Sequence, residues 1–302
     1  MKRSGFTIIR NGDSLGYPWQ ASLRSLAPLV DELVIAHGDS TDMTGESLRK
    51  LAAELPCPVR IIDSPWDAAS QKGGFELARQ TNIALAACSH DVCFYLQSDE
   101  VLHEDDYPRL RADLDRFETD ADVDALALTW VHFYGNFETV AHSRAWYRRE
   151  IRVVKRSHGL RSLGDAQSFR IPLASGGWKK ARAALSPARC LHYGWARPPK
   201  VMAQKTEALD RLWHGPGRDG SHAAENIYKM QYGLRPYSGT HPAVMREHVE
   251  SFRREFPNFD PFRSQRMRWN VKALRAWSAD LIESLCGWRP AEFTNYASLK
   301  RY

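Results

Sequence analysis

The sequence predicts an α/β protein: a doubly wound, mixed sheet of Rossmann-like pattern with a helical carboxyl-terminal extension. Over the first 120 residues short apolar, β-branched runs alternate with amphipathic helical patterns. Each of those runs ends in polar residues, and from about Pro198 the chain turns helical and rich in Trp and Arg. The division expected is 1–197 for the sheet domain and 198–302 for the extension.

Taken in order, Gly5 to Arg10, Glu32 to His37, Val59 to Asp63 and Val92 to Gln97 are the strand candidates, each bounded by turn residues. Between them Trp19, Leu23, Leu26 and Val30 share one helical face, as do Leu48, Leu51 and Leu55, and later Leu77, Thr81, Leu85 and Cys88. Parallel strands need crossovers of about a dozen residues, usually helical, so the alternation implies a sheet covered on both faces. After Asp120 longer strands are expected, Asp124 to Tyr134, Glu150 to Lys155 and Ala188 to Tyr193, without clear crossover helices. Gly215-Pro216-Gly217 and Tyr237-Ser238-Gly239 break the helical extension.

At 302 residues and 43% hydrophobic content the chain can bury a large core. No run of eighteen apolar residues occurs and the amino terminus passes directly into a strand pattern, so a cytoplasmic protein is the expectation. Cys57, Cys88, Cys93, Cys190 and Cys286 are scattered, with no CxxC spacing, and are read as reduced thiols. A net charge of +6 fits an anionic small molecule or lipid surface as well as nucleic acid.

Ligands of doubly wound sheets bind outside the carboxyl ends of the strands, which directs attention to Arg10-Asn11, Gly38-Asp39-Ser40, Asp63-Ser64 and Ser98-Asp99-Glu100. The run Phe94-Tyr95-Leu96-Gln97-Ser98-Asp99-Glu100 takes an apolar strand straight into two carboxylates. Such oxygens suit Mg²⁺ or Mn²⁺, whose remaining coordination is met by water and diphosphate; a solvated acidic turn opening a helix is the plainer alternative. Asp39, Ser40, Thr41 and Asp42 offer carboxylates and hydroxyls to a base or ribose, although Asp42 can equally cap a helix.

Gln71-Lys72-Gly73-Gly74-Phe75 leads into a helix whose Arg79 and Asn82, three apart, share a face that could line a nucleotide pocket or meet solvent. Arg149 and Arg152 cluster beside Glu150, and Arg161 to Gln167 contains Asp165; guanidinium forks match diphosphate, and a charged strand edge looks similar. His192 closes an apolar strand and is followed by Gly194 and Trp195.

The ordered motifs Gly38 to Thr44, Arg79 with Asn82, and Gln97-Ser98-Asp99-Glu100 resemble those of family 2 glycosyltransferases. Gly5 to Asn11, Trp146 to Glu150 and His192 to Pro199 further resemble a bacterial subgroup of that family. The resemblance implies a GT-A fold over 1–197, a nucleoside-diphosphate sugar donor and inverting transfer to an acceptor hydroxyl or amine. It puts Arg10, Asn11 and Asp39 near the nucleotide; Ser40, Asp42, Arg79, Asn82, Gln97, Ser98, Arg149 and Arg152 are the further candidates for donor contacts. A Mn²⁺ or Mg²⁺ cofactor is implied at Asp99, with Glu100 and His192 as further ligands. Where the family carries Asp-x-Asp, this chain reads Gln97-Ser98-Asp99. An inverting enzyme needs a general base; Asp165 is the first choice and Glu150 its rival.

A catalytically silent nucleotide-sugar binder and a nucleotidyltransferase are the alternatives, and Asn11-Gly12-Asp13-Ser14 lacks the glycine- and basic-rich signature of the latter. Nucleic acid is suggested only by a pI of about 9.1. The acceptor, whether glycan, lipid-linked glycan, protein or natural product, is not encoded in these motifs. For the Trp- and Arg-rich extension, packing on the core is the expectation; peripheral contact with an anionic membrane, an acceptor or another subunit are the other uses.

Overall fold

Strand β1 (Arg3–Ile9), helix α1 (Trp19–Leu26), β2 (Glu32–His37), α2 (Thr44–Glu54), β3 (Val59–Asp63), α3 (Phe75–Ala86) and β4 (Val92–Tyr95) alternate through the first third of the chain. The computed structural model describes residues 2–67, 70, 72–215, 224–267, 269–288 and 292–302. Gln71 of the paired-glycine segment and the Pro216-Gly217 break therefore lie outside the described residues. Then come β5 (Glu100–Leu102), α4 (Tyr107–Thr119), β6 (Ala125–Tyr134), β7 (Thr139–Ala141), β8 (Arg149–Lys155), β9 (Arg161–Ser162), β10 (Phe169–Pro172), β11 (Trp178–Lys180) and β12 (Arg182–Trp195). The extension holds α5 (Pro199–His214), β13 (Leu234–Pro236), α6 (Arg246–Glu255), α7 (Val271–Cys286) and β14 (Ala297–Arg301).

Strands β3, β2, β1 and β4 are parallel neighbours, and β8 and β6 continue the sheet antiparallel. Side chains alternate between its faces as a pleat requires. Leu33 and Ile35 of β2 and Phe94 of β4 join Trp19, Leu23, Leu48 and Leu114 on one side; Val34, Ala36, Cys93 and Tyr95 meet Ala84, Leu85 and Phe169 on the other. This is the expected doubly wound layout.

The second half departs from expectation in three places. Strand β12 is fourteen residues long, far beyond Ala188 to Tyr193, and pairs with β6 (parallel), β5 (antiparallel) and β14 (parallel). A separate sheet of β9, β10 and β11 forms from strands of two to four residues, too short to show a period; only Phe169 and Ser162 among them are buried. The extension is helical but lends β13 and β14 to the main sheet. No helix of the described residues is long and apolar enough to cross a membrane.

Two ion pairs fasten the long strands. Arg152 of β8 and Glu100 of β5, both fully buried, meet through two 2.6 Å hydrogen bonds, with the guanidinium 4.5 Å from the Trp130 ring centre. Burial works against the Arg152 charge, but Glu100 overcomes it and raises the guanidinium above its ordinary value. At the far end Asp124 accepts from the Arg182 main chain and guanidinium and contacts His158 at 2.9 Å, locking the starts of β6 and β12 together.

Both pairs give measurable expectations. Removing one member of a buried pair strands the other, so Glu100→Ala should cost about 3–5 kcal/mol in urea unfolding, and a loss below about 1 kcal/mol would contradict this account. For Asp124, burial pushes the carboxyl up, while Arg182 and His158 bring it down from 3.8 to about 2. Its contribution, about 2 kcal/mol, is therefore complete above pH ~4 and is lost as pH falls towards 2. Asp124→Asn should flatten that part of the stability profile.

Candidate active site

At the carboxyl ends of β1 and β2 the chain builds a polar nest. Asn11, at φ 50°, donates its N–H to Ser40 Oγ (3.0 Å) and accepts the Thr41 N–H on Oδ1 (2.8 Å). Asp42 accepts the main-chain N–H groups of Ser14 (2.8 Å) and Thr44 (3.0 Å), which hold its carboxyl low against the opposing effect of burial. Asp42 therefore stitches the β1 and β2 loops together and receives the first main-chain N–H of α2 from one residue before its N-cap, Met43. Asp39 stays half-exposed, with Arg10 Nε 3.1 Å from its Oδ1, and Arg10 lies 4.9 Å from the Trp66 ring centre. Arg10, Asp39 and Trp66 thus form a charged and aromatic wall at adjacent strand ends.

Arg79 and Asn82 do not reach that wall directly. Arg79 pairs with buried Glu76 and donates to the Pro65 carbonyl (2.9 Å), supporting the turn that presents Trp66. Asn82 exchanges two hydrogen bonds with the Ser162 main chain, fastening α3 to β9. The Gly73 and Gly74 N–H groups donate to the Trp213 and Leu212 carbonyls, so this segment clasps the end of α5 and offers those groups to no phosphate.

A second centre forms where β5 meets β12. Pairing sets His192 opposite Glu100 on one side and opposite His132 of β6 on the other. Asp99, one residue before β5 and almost fully buried, brings Oδ2 to 3.8 Å from His192 Nε2, 3.8 Å from Arg197 Nη2 and 3.0 Å from Lys205 Nζ. Lys205 and Arg197 hold the Asp99 carboxyl far below its ordinary range against the pull of burial, Lys205 contributing most. Lys205 also donates to the Gly194 carbonyl (2.7 Å), and burial beside Arg197 lowers it to about 8. Both cations lie over the Tyr17 ring, at 4.3 and 4.9 Å. Arg197 Nη1 and Nη2 are buried with no hydrogen-bond acceptor among the described residues.

The two imidazoles are ordered from behind. His132 Nε2 lies 2.8 Å from the Tyr147 carbonyl and can only donate to it, which leaves its Nδ1 as acceptor. His192 Nδ1, 3.1 Å away, is then the donor, and the lone pair of His192 Nε2 turns towards Asp99. Burial in the Trp130, Trp146 and Tyr147 cage lowers His132 to about 4 and His192 well below its ordinary value, so both rings are neutral. Gly194 leaves the space in front: a Cβ there would stand 2.3 Å from His192 Nε2 and 2.8 Å from Asp99 Oδ2.

Asp99 Oδ2, already hydrogen-bonded to Lys205, and the His192 Nε2 lone pair face a glycine-lined gap, where a divalent cation would compete with Lys205 for that oxygen and take its other ligands from diphosphate and water. Among the described residues no group of three or more His, Cys, Asp or Glu side chains could hold a metal unaided. Glu100, expected as a ligand, is corrected: both its oxygens are spent on Arg152, and by the same pair Arg152 is withdrawn from diphosphate binding. Glu150, the rival base, is buried and satisfied by Ser168, Asn295 and the Ile151 main chain. Arg149 lies among Tyr296, Arg148 and Arg301 rather than at Asp99.

Asp165 sits half-buried in a loop against Gly74, and its neighbour Ala166 accepts a 3.1 Å hydrogen bond from Gln97 Nε2. Ser98 Oγ donates to the Ile8 carbonyl. Gln97 and Ser98 therefore brace the turn that carries Asp99 and tie it to the Asp165 loop and to β1. Sequence reasoning missed Trp66, His132, Arg197 and Lys205. A signal existed for Lys205: with Met202, Leu209 and Leu212 it shares the apolar stripe of α5, an unusual place for a lysine. Two clefts of about 1010 and 830 Å³, lined largely by the extension, contain neither Asp99 nor His192.

Comparison with known proteins follows this geometry. The model of "Glycosyl transferase family 2" matches residues 20–183. No curated protein matches the chain. Among solved structures, S. aureus TarS in complex with UDP-GlcNAc is similar at 21% identity over 45% of this chain and 36% of its own, with a TM-score of 0.35. The mannosyltransferase PcManGT of Pyrobaculum calidifontis, in complex with GDP-Man and Mn²⁺, shows 14% identity over 96% of this chain and 77% of its own, TM-score 0.43. Glucosyl-3-phosphoglycerate synthase of Mycobacterium tuberculosis, in complex with Mn²⁺, UDP and phosphoglyceric acid, shows 19% identity over 43% of each chain, TM-score 0.28. The chain spans 36% and 49% of the two TarS chains it matches first, and none of these distant likenesses identifies a substrate. The family match covers more than half of the sequence: this chain belongs to glycosyl transferase family 2, and the expected GT-A fold stands on that membership.

Proposed function

We propose that the protein moves a glycosyl group from a nucleoside-diphosphate sugar to an acceptor hydroxyl or amine, with inversion and with Mn²⁺ or Mg²⁺ assisting. The observation that carries this reading is the convergence of Asp99, neutral His192 and two buried cations, Lys205 and Arg197, beside the Arg10, Asp39 and Trp66 wall. One carboxylate against two cations leaves a positive surplus, the complement of a diphosphate. The unpartnered nitrogens of Arg197 are what a bound anion would satisfy.

In this reading Arg10, Asn11, Asp39 and Trp66 hold the nucleoside, with the base against the Trp66 and Arg10 surface. Asp99 and His192 hold the cation, which when bound neutralises charge on the leaving diphosphate. Arg197, at the end of 1–197, and Lys205, from the extension, bind the diphosphate oxygens, so residues 198–302 complete a donor site begun in 1–197. Asp165 takes the acceptor proton as the acceptor atom bonds to the anomeric carbon. The bond from that carbon to the diphosphate oxygen breaks with its electron pair on the oxygen, and a single displacement inverts the configuration.

Thermal unfolding against UDP, GDP, CDP and dTDP, with Mn²⁺, Mg²⁺ or chelator, tests the donor site. One diphosphate at a hundredfold its Kd should stabilise by about 2.7 kcal/mol in the presence of metal, and Asp99→Asn should abolish the metal-dependent part. If no nucleotide stabilises the protein under any condition, the reading fails. Lys205→Met should weaken diphosphate binding about ten- to a hundredfold, with partial recovery in Lys205→Arg, as expected for a lost charge-assisted hydrogen bond. Asp165→Asn should lower kcat about 10²–10⁴-fold while leaving nucleotide binding intact. Donor hydrolysis by the wild type separates an enzyme from a silent binder.

A further inference from the structure

Helix α7 has its polarity reversed. Its only carboxylates, Asp280 and Glu283, turn inward to Arg144 (3.7 Å) and Arg148 (2.8 Å), and Ala273, Ala276 and Ala279 line the same half-buried side. The outward side carries Val271, Leu274, Trp277, Leu281, Ile282 and Leu285, exposed by 64, 52, 45, 43, 39 and 78%. Their three- and four-residue spacing makes one continuous stripe. No residue of α7 is buried, so the packing on the core expected for these tryptophan-rich helices does not hold here.

From this stripe we infer that α7 seats the protein on an anionic lipid bilayer surface. The polar side chains on the outward side are Arg275, Ser278 and no carboxylate, an arrangement complementary to negative headgroups. Exposed Trp269 and Trp288 flank the helix, and tryptophan favours the boundary between headgroup and hydrocarbon. Exposed Phe293 lies beside the basic edge of β11, where Lys180 Nζ donates to the Thr294 carbonyl and Lys179 and Trp178 stand exposed. A helix of 16 residues is about 24 Å long, too short for a bilayer core of about 30 Å, and its inward charges are already paired. It lies in the interface plane.

This inference is independent of the donor chemistry. Flotation of the full chain with phosphatidylcholine vesicles, with and without phosphatidylglycerol, tests it. The wild type should float with the anionic vesicles, and Leu281→Asp with Leu285→Asp should release it. Arg275→Glu and added salt should each weaken binding, by about fivefold or more for the charge reversal. All three sites of substitution are exposed, so thermal unfolding and nucleotide-dependent stabilisation should be unchanged, which keeps this test separate from that of the donor site. Failure of the wild type to float with either vesicle would overturn the inference, as would unaltered flotation of the double variant. Light scattering that shows a dimer dissociated by the same substitutions would instead assign the stripe to a second copy of the chain.

Discussion

The contact between Glu100 and Arg152 sets the geometry of everything around it. Glu100 is the residue that pairs in register with His192, and its carboxylate is drawn towards β8 while the adjacent Asp99 projects the other way, to Lys205 and Arg197. Neighbouring side chains at a strand end take opposite directions, so anchoring one fixes the other. The Gln97 main-chain N–H also donates to Glu100, and the Gln97 side chain then reaches the Asp165 loop. A single buried ion pair therefore orders the cation-facing carboxylate, the histidine across from it and the loop with the candidate base.

The centre is assembled from parts far apart in the chain. Asp99 belongs to the span shared with the family, but His192, Arg197 and Lys205 lie beyond residue 183, where that match ends. Strand β12 is the device that joins them. By pairing with β6 and β5 it inserts His192 into the sheet, and its exit through Pro198 starts α5, which returns Lys205 to Asp99. The end of α5 is then held by the Gly73 and Gly74 N–H groups, so the extension is fastened at both ends of that helix.

The first four strands were legible because each is a short apolar run with a pleat-matched neighbour and a polar end. Strand β12 was read short because Ser186-Pro187 interrupts its apolar pattern at an irregularity in its pairing with β6. Strands β9 to β11, β13 and β14 run for two to five residues, too few to show a period, and pairing partners decide them rather than their own composition. In the site, Asp39, Asp99 and His192 stood out by position at strand ends. Glu100, Arg152 and Asn82 misled because a charged or amide side chain announces itself in sequence but not the direction in which it points. His132 gave no signal, since its task depends entirely on the strand beside it.

That task fixes the chemistry of His192 in an unusual way. The last acceptor in the series His192, His132 and Tyr147 is a main-chain carbonyl. A carbonyl of the backbone is present whatever residue occupies position 147, so no change of side chain there removes the acceptor. The hydrogen bonding of both rings is thus anchored in an atom that mutation cannot delete, and drift in the surrounding aromatic cage can alter the fit of the rings while leaving the direction of the lone pair intact.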